Sequence, residues 1–269
     1  MLEITLGKKT IGTDKPAFIM GIVNATPDSF FSGSRGDVEL AKKLIAEGAD
    51  IIDIGGESTR PGFTEVPADE EIDRIVPLIK AIRSFSDIPI SVDTRKMSVM
   101  KAAFEAGADA LNDVSALEDD DKMAEFAGKA GISVILMHQF KGLESERKTN
   151  PNITNEVSEY LEKRISYAVS QGINPDKIIV DPGIGFGKTP EENILLIKET
   201  HKLCNKKYPI LMALSRKRCI GTMTDQPVEK RMVGTVAADM YSVMKGAVMI
   251  RVHDVEAARD SLNVMKYLF

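Results

Sequence analysis

Short apolar segments rich in β-branched residues alternate along the chain with longer segments of helical periodicity. The apolar segments predict strands near residues 17–24, 50–55, 88–93, 109–114, 133–138, 178–182, 209–215 and 247–252. The periodic segments predict helices near 38–48, 69–84, 97–106, 120–130, 154–171, 190–204, 228–245 and 255–267. Eight strands, each followed by a helix, predict right-handed βαβ units and a parallel sheet that closes into a (β/α)₈ barrel, the TIM-barrel architecture.

The first twelve residues follow a different pattern. Two short alternating runs, 2–5 and 10–12, flank Gly7-Lys8-Lys9 and predict a β-hairpin that plugs one end of the barrel. The chain has 269 residues, of which 43% are hydrophobic. Because barrels of this kind typically span roughly 250 residues, we expect a single domain covering residues 1–269.

Charge and composition exclude several classes of function. The net charge of −5 is spread over 28% charged residues on predicted helix faces, so no basic field favours nucleic acid. No apolar run approaches the ~20 residues of a membrane-spanning helix, and the N-terminus lacks a signal-peptide pattern. The two cysteines, Cys204 and Cys219, lack metal-like spacing and indicate a reducing compartment, so we expect a cytoplasmic protein.

Polar side chains end many of the predicted strands, where parallel barrels gather their functional groups. One group follows apolar strands and is costly to bury without donors, which the amino and ring N–H groups of a planar heterocycle would supply: Asp93, Asn112 and Asp181. A second group suits phosphate oxygens: Asn24, Arg60, Arg251 and His253. The pattern predicts a ring-binding pocket beside an anion site.

Each of these residues also has a structural interpretation. A single Asp or Asn at a strand end often only caps a turn. Arg95, beside Asp93, is expected to pair with an acid of the helix layer, whereas His138 fits core packing and site lining equally. Cys219 follows three basic residues that would activate a thiol, although we expect it to be a small packing residue.

Several longer motifs stand at the predicted strand ends. They are residues 20–30 (MGIVNATPDSF), 55–62 (GGESTRPG) and 181–188 (DPGIGFGK), with the shorter Ser215-Arg216-Lys217 and Arg251-Val252-His253-Asp254. Together they make residues 15–265 resemble the bacterial dihydropteroate synthases, a family of pterin-binding barrels. Members join a hydroxymethyl-dihydropterin pyrophosphate to para-aminobenzoate in folate biosynthesis, and sulfonamides mimic the amine.

The resemblance assigns a role to each matching position. The pterin would be held by Asp93, Asn112, Asp181 and Lys217, and the pyrophosphate by Asn24, Thr59, Arg60, Arg251 and His253. The para-aminobenzoate would be bordered by Phe30, Pro61, Phe186 and Ser215. Asn24 would also reach a Mg²⁺ ion, and catalysis would rest on Lys217, Asp93, Asp181 and Arg251. The resemblance further implies a homodimer formed through the late helices.

In the implied mechanism, pyrophosphate leaves the pterin methylene before the aryl amine attacks, without a covalent enzyme intermediate. An alternative is a methyltetrahydrofolate-binding corrinoid methyltransferase domain, which shares the Asp and Asn set. Such a domain would not require the motifs at 215–217 and 251–253, because these motifs suit a pyrophosphate and a second small substrate. A non-catalytic pterin-binding protein and a sugar-phosphate isomerase are further alternatives, and Asn24 and Arg60 argue against the first of these.

Overall fold

The computed structural model describes residues 1–25, 35–57, 65–142 and 146–268, and a barrel of eight parallel strands forms their centre. The strands are β1 (Leu2–Leu6), β2 (Lys9–Thr13), β3 (Phe18–Asn24), β4 (Ile51–Gly55), β5 (Ile90–Asp93), β6 (Ala110–Asp113), β7 (Ser133–Met137), β8 (Ile178–Asp181), β9 (Leu211–Met212) and β10 (Met249–Val252). The parallel sheet runs β8-β7-β6-β5-β4-β3-β10-β9. A parallel bridge between Val180 and Ile210 joins its two edges, so the predicted barrel is confirmed.

Helices cover the outside of the barrel. They are α1 (Arg35–Glu47), α2 (Ala68–Arg83), α3 (Met97–Ala106), α4 (Met123–Ala130), α5 (Ile153–Ser170), α6 (Pro190–Lys198), α7 (Arg218–Thr224), α8 (Met232–Met244) and α9 (Val255–Leu268). The start of α6 shows how local sequence sets a boundary, because Thr189 and Glu192 cap it reciprocally and Pro190 follows at the first helical position. No described helix is long and apolar enough to cross a membrane.

The hairpin of β1 and β2 closes the amino-terminal end of the barrel, as predicted. Ile4 and Leu6 are buried in one cluster with the lower lumen-facing side chains of the barrel strands. The Ser133 hydroxyl anchors the turn, because it accepts a hydrogen bond from the Gly7 amide (3.0 Å) and donates one to the Thr5 carbonyl (2.9 Å). The open end is therefore the carboxyl-terminal one.

Alternation along the strands separates a lumen face from a helix-facing side. Side chains of one parity form the small apolar cluster inside the barrel, for example Phe18, Met20 and Ile51. Those of the other parity, for example Ile19 and Ile52, join the larger cluster under the helices. This register decides which polar side chains at the strand ends can reach a common pocket.

Near the end of the barrel, one predicted strand is too long and one helix was not predicted. The strand predicted at 209–215 has two paired residues, because the chain turns where the Lys217 amide bonds the Leu214 carbonyl (3.0 Å). Arg216 within this turn has a left-handed φ of 57°. The turn leads directly into α7, a short helix that the periodicity did not predict.

Two predicted helices are also longer than the observed ones. The segment 190–204 is α-helical only to Lys198 and continues as a 3₁₀ helix at Thr200–Lys206. There the Thr200 hydroxyl donates to the Leu196 and Ile197 carbonyls and competes with the helical ladder. The segment 228–245 begins as a separate 3₁₀ turn, Val228–Lys230, before α8.

Candidate active site

Four of the described polar side chains at the open end of the barrel lie directly beyond the apolar cluster of the lumen. Asp53, Asn112, Asp181 and Arg251 each lie two residues after a member of the apolar lumen cluster, namely Ile51, Ala110, Ile179 and Met249. Because side chains alternate along a strand, all four point into the same lumen. Three of them were predicted site residues, and Asp53 was not.

Asp53 is fully buried and is the centre of a hydrogen-bonded network. The Arg251 Nε donates to its Oδ2 (2.6 Å), and the Asn112 Nδ2 approaches the same oxygen (3.3 Å). The Ser91 hydroxyl donates to Oδ1. A signal for this residue was present in the sequence, since a carboxylate in the middle of the apolar strand IIDIG needs buried donors.

Within the described part of the chain, Asp93 has one carboxylate oxygen with a hydrogen-bond partner and one without. Its Oδ2 accepts from the Arg251 Nη2 (3.1 Å), whereas its buried Oδ1 has no partner among the described residues. Burial raises the pKa of Asp93 to about 7; Arg251 opposes this rise, and the neighbouring Asp53 adds to it. Because buried polar atoms are nearly always satisfied, this oxygen marks a position for a ligand donor.

Asp181 and Lys217 lie together on another side of the lumen. The Gly183 amide donates to the Asp181 Oδ1 (2.7 Å), and burial raises the pKa of this carboxyl against the effect of Lys217. The Lys217 Nζ donates to the Ile184 carbonyl (2.6 Å) and lies 4.8 Å from the Phe186 ring centroid. Burial lowers the pKa of Lys217 to about 8, and Asp181 limits this shift.

Lys217 contacts the loop after β8 at Ile184, and Lys188 holds the same loop through other carbonyls. The sequence did not reveal this role of Lys188. The buried Lys188 Nζ donates to the carbonyls of Gly183 (2.8 Å), His138 (3.1 Å) and Phe186 (3.4 Å). Gly183 has a φ of 68°, and a Cβ there would lie 1.8 Å from the His138 carbonyl oxygen. The position therefore requires glycine, and the loop is fixed at both faces.

The loops after β9 and β10 are joined by side chains. The Ser215 Oγ lies 2.9 Å from the His253 Nδ1 and also accepts from the His253 amide (3.1 Å). Next to this pair, the Arg216 Nη2 donates to the Asp254 Oδ1 (2.6 Å). Ser215 and His253, predicted for the amine and pyrophosphate subsites respectively, therefore lie against each other.

Four predicted site residues, Phe30, Thr59, Arg60 and Pro61, lie outside the described residues. The described residues on either side of 58–64 are tied together. The Glu57 carboxylate accepts from the Val66 amide (2.7 Å) and from the Lys96 Nζ (2.8 Å), and Lys96 also donates to the Val66 carbonyl (2.8 Å).

The other interpretations left open by the sequence are now decided. Arg95 pairs with Glu57 and Asp119, as expected for a structural arginine. His138 has the helix-facing parity, packs edge-on against Tyr160 (4.9 Å between centroids), and burial lowers its pKa to about 3, so it is a core residue. Burial raises the pKa of the Cys219 thiol, which makes it a packing residue and not an activated nucleophile.

Comparison with known proteins agrees with this arrangement. A family model described as pterin binding enzyme matches residues 20–253. The chain is 43% identical to a dihydropteroate synthase of Clostridium beijerinckii, with 93% of each chain covered. It is 42% identical to a dihydropteroate synthase of Haemophilus influenzae, with 91% of this chain and 92% of the relative covered.

Solved structures give the same result. The Xanthomonas albilineans dihydropteroate synthase with 4-aminobenzoic acid superposes with a TM-score of 0.91 at 38% identity, covering 99% of this chain and 97% of that one. The same organism's enzyme in complex with 7,8-dihydropteroate gives a TM-score of 0.88 at 36% identity, covering 99% and 98%. The chain therefore belongs to the pterin-binding enzymes and, among them, to the dihydropteroate synthases, which are transferases.

Proposed function

We propose that the chain condenses 6-hydroxymethyl-7,8-dihydropterin pyrophosphate with para-aminobenzoate to give 7,8-dihydropteroate and pyrophosphate. The observation that carries this proposal is the buried, unpartnered Oδ1 of Asp93 in a lumen otherwise lined by Asn112, Asp181 and Lys217. A flat heterocycle with several N–H donors and ring acceptors satisfies such a set. Related enzymes have been solved with 4-aminobenzoic acid and with 7,8-dihydropteroate.

The pterin subsite consists of Asp93, Asn112, Asp181 and Lys217. Asp93 and Asp181 would accept from the amino and ring N–H groups, and Lys217 would donate to a ring acceptor. Ligand donors and Arg251 both favour the ionised form of Asp93, so binding would lower the raised pKa of this carboxyl. The pocket can thus be buried and still fully hydrogen-bonded.

The amine subsite lies at the open end of the barrel, where Phe186 and Ser215 border the pterin pocket. The Phe186 ring lies beside the Lys217 ammonium and offers an apolar face to an aromatic ring. Lys217 is therefore placed between the two subsites. Phe30 and Pro61 complete this subsite in the proposal, as predicted from the sequence.

The pyrophosphate subsite consists of His253 and Asn24 together with the predicted Thr59 and Arg60. Arg251 is part of the same proposal, and its guanidinium is held within the barrel by Asp53 and Asp93. The exposed Asn24 amide ends β3 at the mouth, and an oxygen donor in such a place suits Mg²⁺, which keeps several waters and bridges protein to phosphates. When bound there, Mg²⁺ would neutralise phosphate charge.

In the reaction, the bond between the pterin methylene carbon and the ester oxygen breaks, and its electron pair leaves with pyrophosphate. Asp93 and Asp181 would stabilise the positive charge left on the pterin, and His253 with Arg251 would stabilise the departing anion. The amine nitrogen then forms the new bond to the methylene carbon and loses one proton. The protein contributes positioning and electrostatics, without a covalent intermediate.

Pyrophosphate release tests this function directly. With the pterin pyrophosphate, Mg²⁺ and para-aminobenzoate, we expect stoichiometric pyrophosphate and 7,8-dihydropteroate, and we expect a sulfonamide to compete with the amine. A folded preparation that forms no dihydropteroate under these conditions would refute the proposal. Transfer of a methyl group from methyltetrahydrofolate to a corrinoid protein would instead support the methyltransferase alternative.

We further propose that two copies of the chain form a dimer through α8 and α9, in the cytoplasm. These adjacent helices both expose apolar side chains, including Val233 (72% exposed) on α8 and Tyr267 (87% exposed) on α9. Exposed apolar patches of this kind commonly mark interaction surfaces. The two cysteines are free, in keeping with a reducing compartment.

Val233→Glu is expected to convert the dimer into a monomer, because it places a charge among the exposed apolar side chains of α8. Sedimentation equilibrium would then report a mass near the chain mass of 29.4 kDa, compared with twice that value for the unmodified protein. Val169→Glu, at an exposed position of α5, is the matched control and should leave the dimer intact. A monomeric unmodified protein would contradict this proposal.

A further inference from the structure

The fully buried Asp53 makes contacts that no substrate-binding role explains. It lies one step below the predicted ligand layer, since the partner of Asp53 on β5 is Ser91, whereas Asp93 pairs with Asn112. Its two oxygens receive hydrogen bonds from Ser91, Asn112 and Arg251. Two of these three donors are predicted to hold the substrate.

The contact with Asn112 determines which end of that amide faces the ligand. An ionised carboxylate only accepts hydrogen bonds, whereas a primary amide has one donating and one accepting end. The Asn112 Nδ2 lies 3.4 Å from Oδ1 and 3.3 Å from Oδ2 of Asp53, and the reverse orientation would set two acceptors against each other. The Asn112 Oδ1 must therefore face away from Asp53.

The contact with Arg251 has a similar effect. The guanidinium spans two carboxylates, because its Nε donates to the Asp53 Oδ2 (2.6 Å) and its Nη2 donates to the Asp93 Oδ2 (3.1 Å). A planar guanidinium held at two points has a fixed orientation. By holding Arg251, Asp53 also leaves the Asp93 Oδ1 as the oxygen available to a ligand.

We infer that Asp53 is a positioning residue of the pterin site, which keeps the Asn112 carbonyl oxygen turned away from itself and keeps Arg251 against Asp93. The inference rests on the proposed function. It deepens that function by assigning a ligand chemistry to one atom: the heterocycle must offer an N–H donor to the Asn112 carbonyl oxygen. A ring that sets an acceptor against this oxygen would bind more weakly, because two acceptors would be buried together.

An exchange of the two side chains tests this inference. In Asp53→Asn, the new amide can turn its donor toward the Asn112 oxygen, so Asn112 can turn its own donor toward the ligand. We expect the dissociation constant for the pterin pyrophosphate, measured by calorimetry with Mg²⁺, to rise roughly 10- to 100-fold. The KM for para-aminobenzoate should change little, which separates positioning from general loss of structure.

The double variant Asp53→Asn with Asn112→Asp restores the arrangement with the groups exchanged. The carboxylate at 112 accepts from both the amide at 53 and the ligand, and the net charge is unchanged. We expect pterin binding to return to within about fivefold of the unmodified protein, a residual loss of the size seen for one imperfect hydrogen bond. Asp239→Asn makes the same chemical change at a buried position of α8 and should not alter binding.

The inference is wrong if the exchanged pair binds the pterin no better than Asp53→Asn. If Asp53→Asn does not fold, weak binding by a folded exchanged pair alone is enough to reject it, and recovered binding supports it. Absence of binding by the unmodified protein would instead contradict the proposed function. The two failures are therefore distinguishable in a single series of titrations.

Discussion

Lys217→Met is expected to lower kcat/KM for dihydropteroate formation by roughly 100- to 1,000-fold, with little change in stability. Methionine keeps the unbranched stem but removes the ammonium that donates to the Ile184 carbonyl (2.6 Å) and lies 4.8 Å from the Phe186 centroid. That ammonium also opposes the raised pKa of Asp181, and after its loss Lys188 and Arg251 remain as the cations acting on this buried carboxyl. Steady-state kinetics with both substrates would measure the effect.

The pH dependence gives this prediction an independent readout. Because burial lowers the pKa of Lys217 to about 8, its charge is present below that pH and is lost as pH rises through it. We expect kcat/KM of the unmodified enzyme to fall on the alkaline side near pH 8, and this limb to be absent in Lys217→Met. Lys202→Met, at an exposed lysine, is the control. A kcat/KM within threefold of the control would contradict the role of Lys217.

Asp239→Ala is expected to stabilise the protein by roughly 1 to 3 kcal/mol at neutral pH. Asp239 lies on the buried face of α8 at 1% exposure, and neither carboxylate oxygen has a hydrogen-bond partner among the described residues. Burial raises the pKa of this carboxyl well above its ordinary value. Alanine removes the polar group and has a higher helix propensity than aspartate.

The sign of the pH effect follows from the raised pKa. In the unfolded chain Asp239 ionises above pH 3.8, whereas in the folded protein it stays protonated to higher pH, so the folded state becomes less stable as pH rises from that value. The advantage of Asp239→Ala should be smallest near pH 4 and increase toward pH 8 in urea unfolding. Asp260→Ala, at an exposed position of α9, should show no such trend. A destabilised Asp239→Ala protein at pH 8 would show that the carboxylate has a stabilising partner.

The register of the strands explains how much of the site the sequence could predict. Asn112 and Asp181 were predicted from their positions at the ends of apolar strands, and alternation places them on the lumen face. The same rule would have separated His138 from the site, because it shares the parity of Val134 and Leu136, which face the helices. It would also have placed Asp53 in the lumen two residues after Ile51.

Contacts between distant strands could not be read from the sequence. The bond from Arg251 to Asp53 joins residues 198 positions apart, and that from Lys188 to the His138 carbonyl joins residues 50 apart. Both depend on how the barrel curves and on which carbonyls a loop turns inward. The early end of β9 is a further case, because the turn at Leu214 to Lys217 is held by side chains from α8 and the following loop, such as the Thr235 hydroxyl bonded to the Arg216 amide (3.0 Å).

By itself, the sequence determined the eightfold alternation of strands and helices, the closing hairpin and the polar character of the open end, but not α7. Hydrophobic periodicity and turn residues act over a few positions, so they can be read locally. The tertiary structure alone decided which carboxylate oxygens of the site have hydrogen-bond partners and which do not. Asp53 is saturated by donors from three strands, whereas Asp93 keeps one buried oxygen without a partner among the described residues. Hydrogen-bond satisfaction depends on distances of a few ångströms between segments far apart in the chain, and only the closed barrel sets those distances.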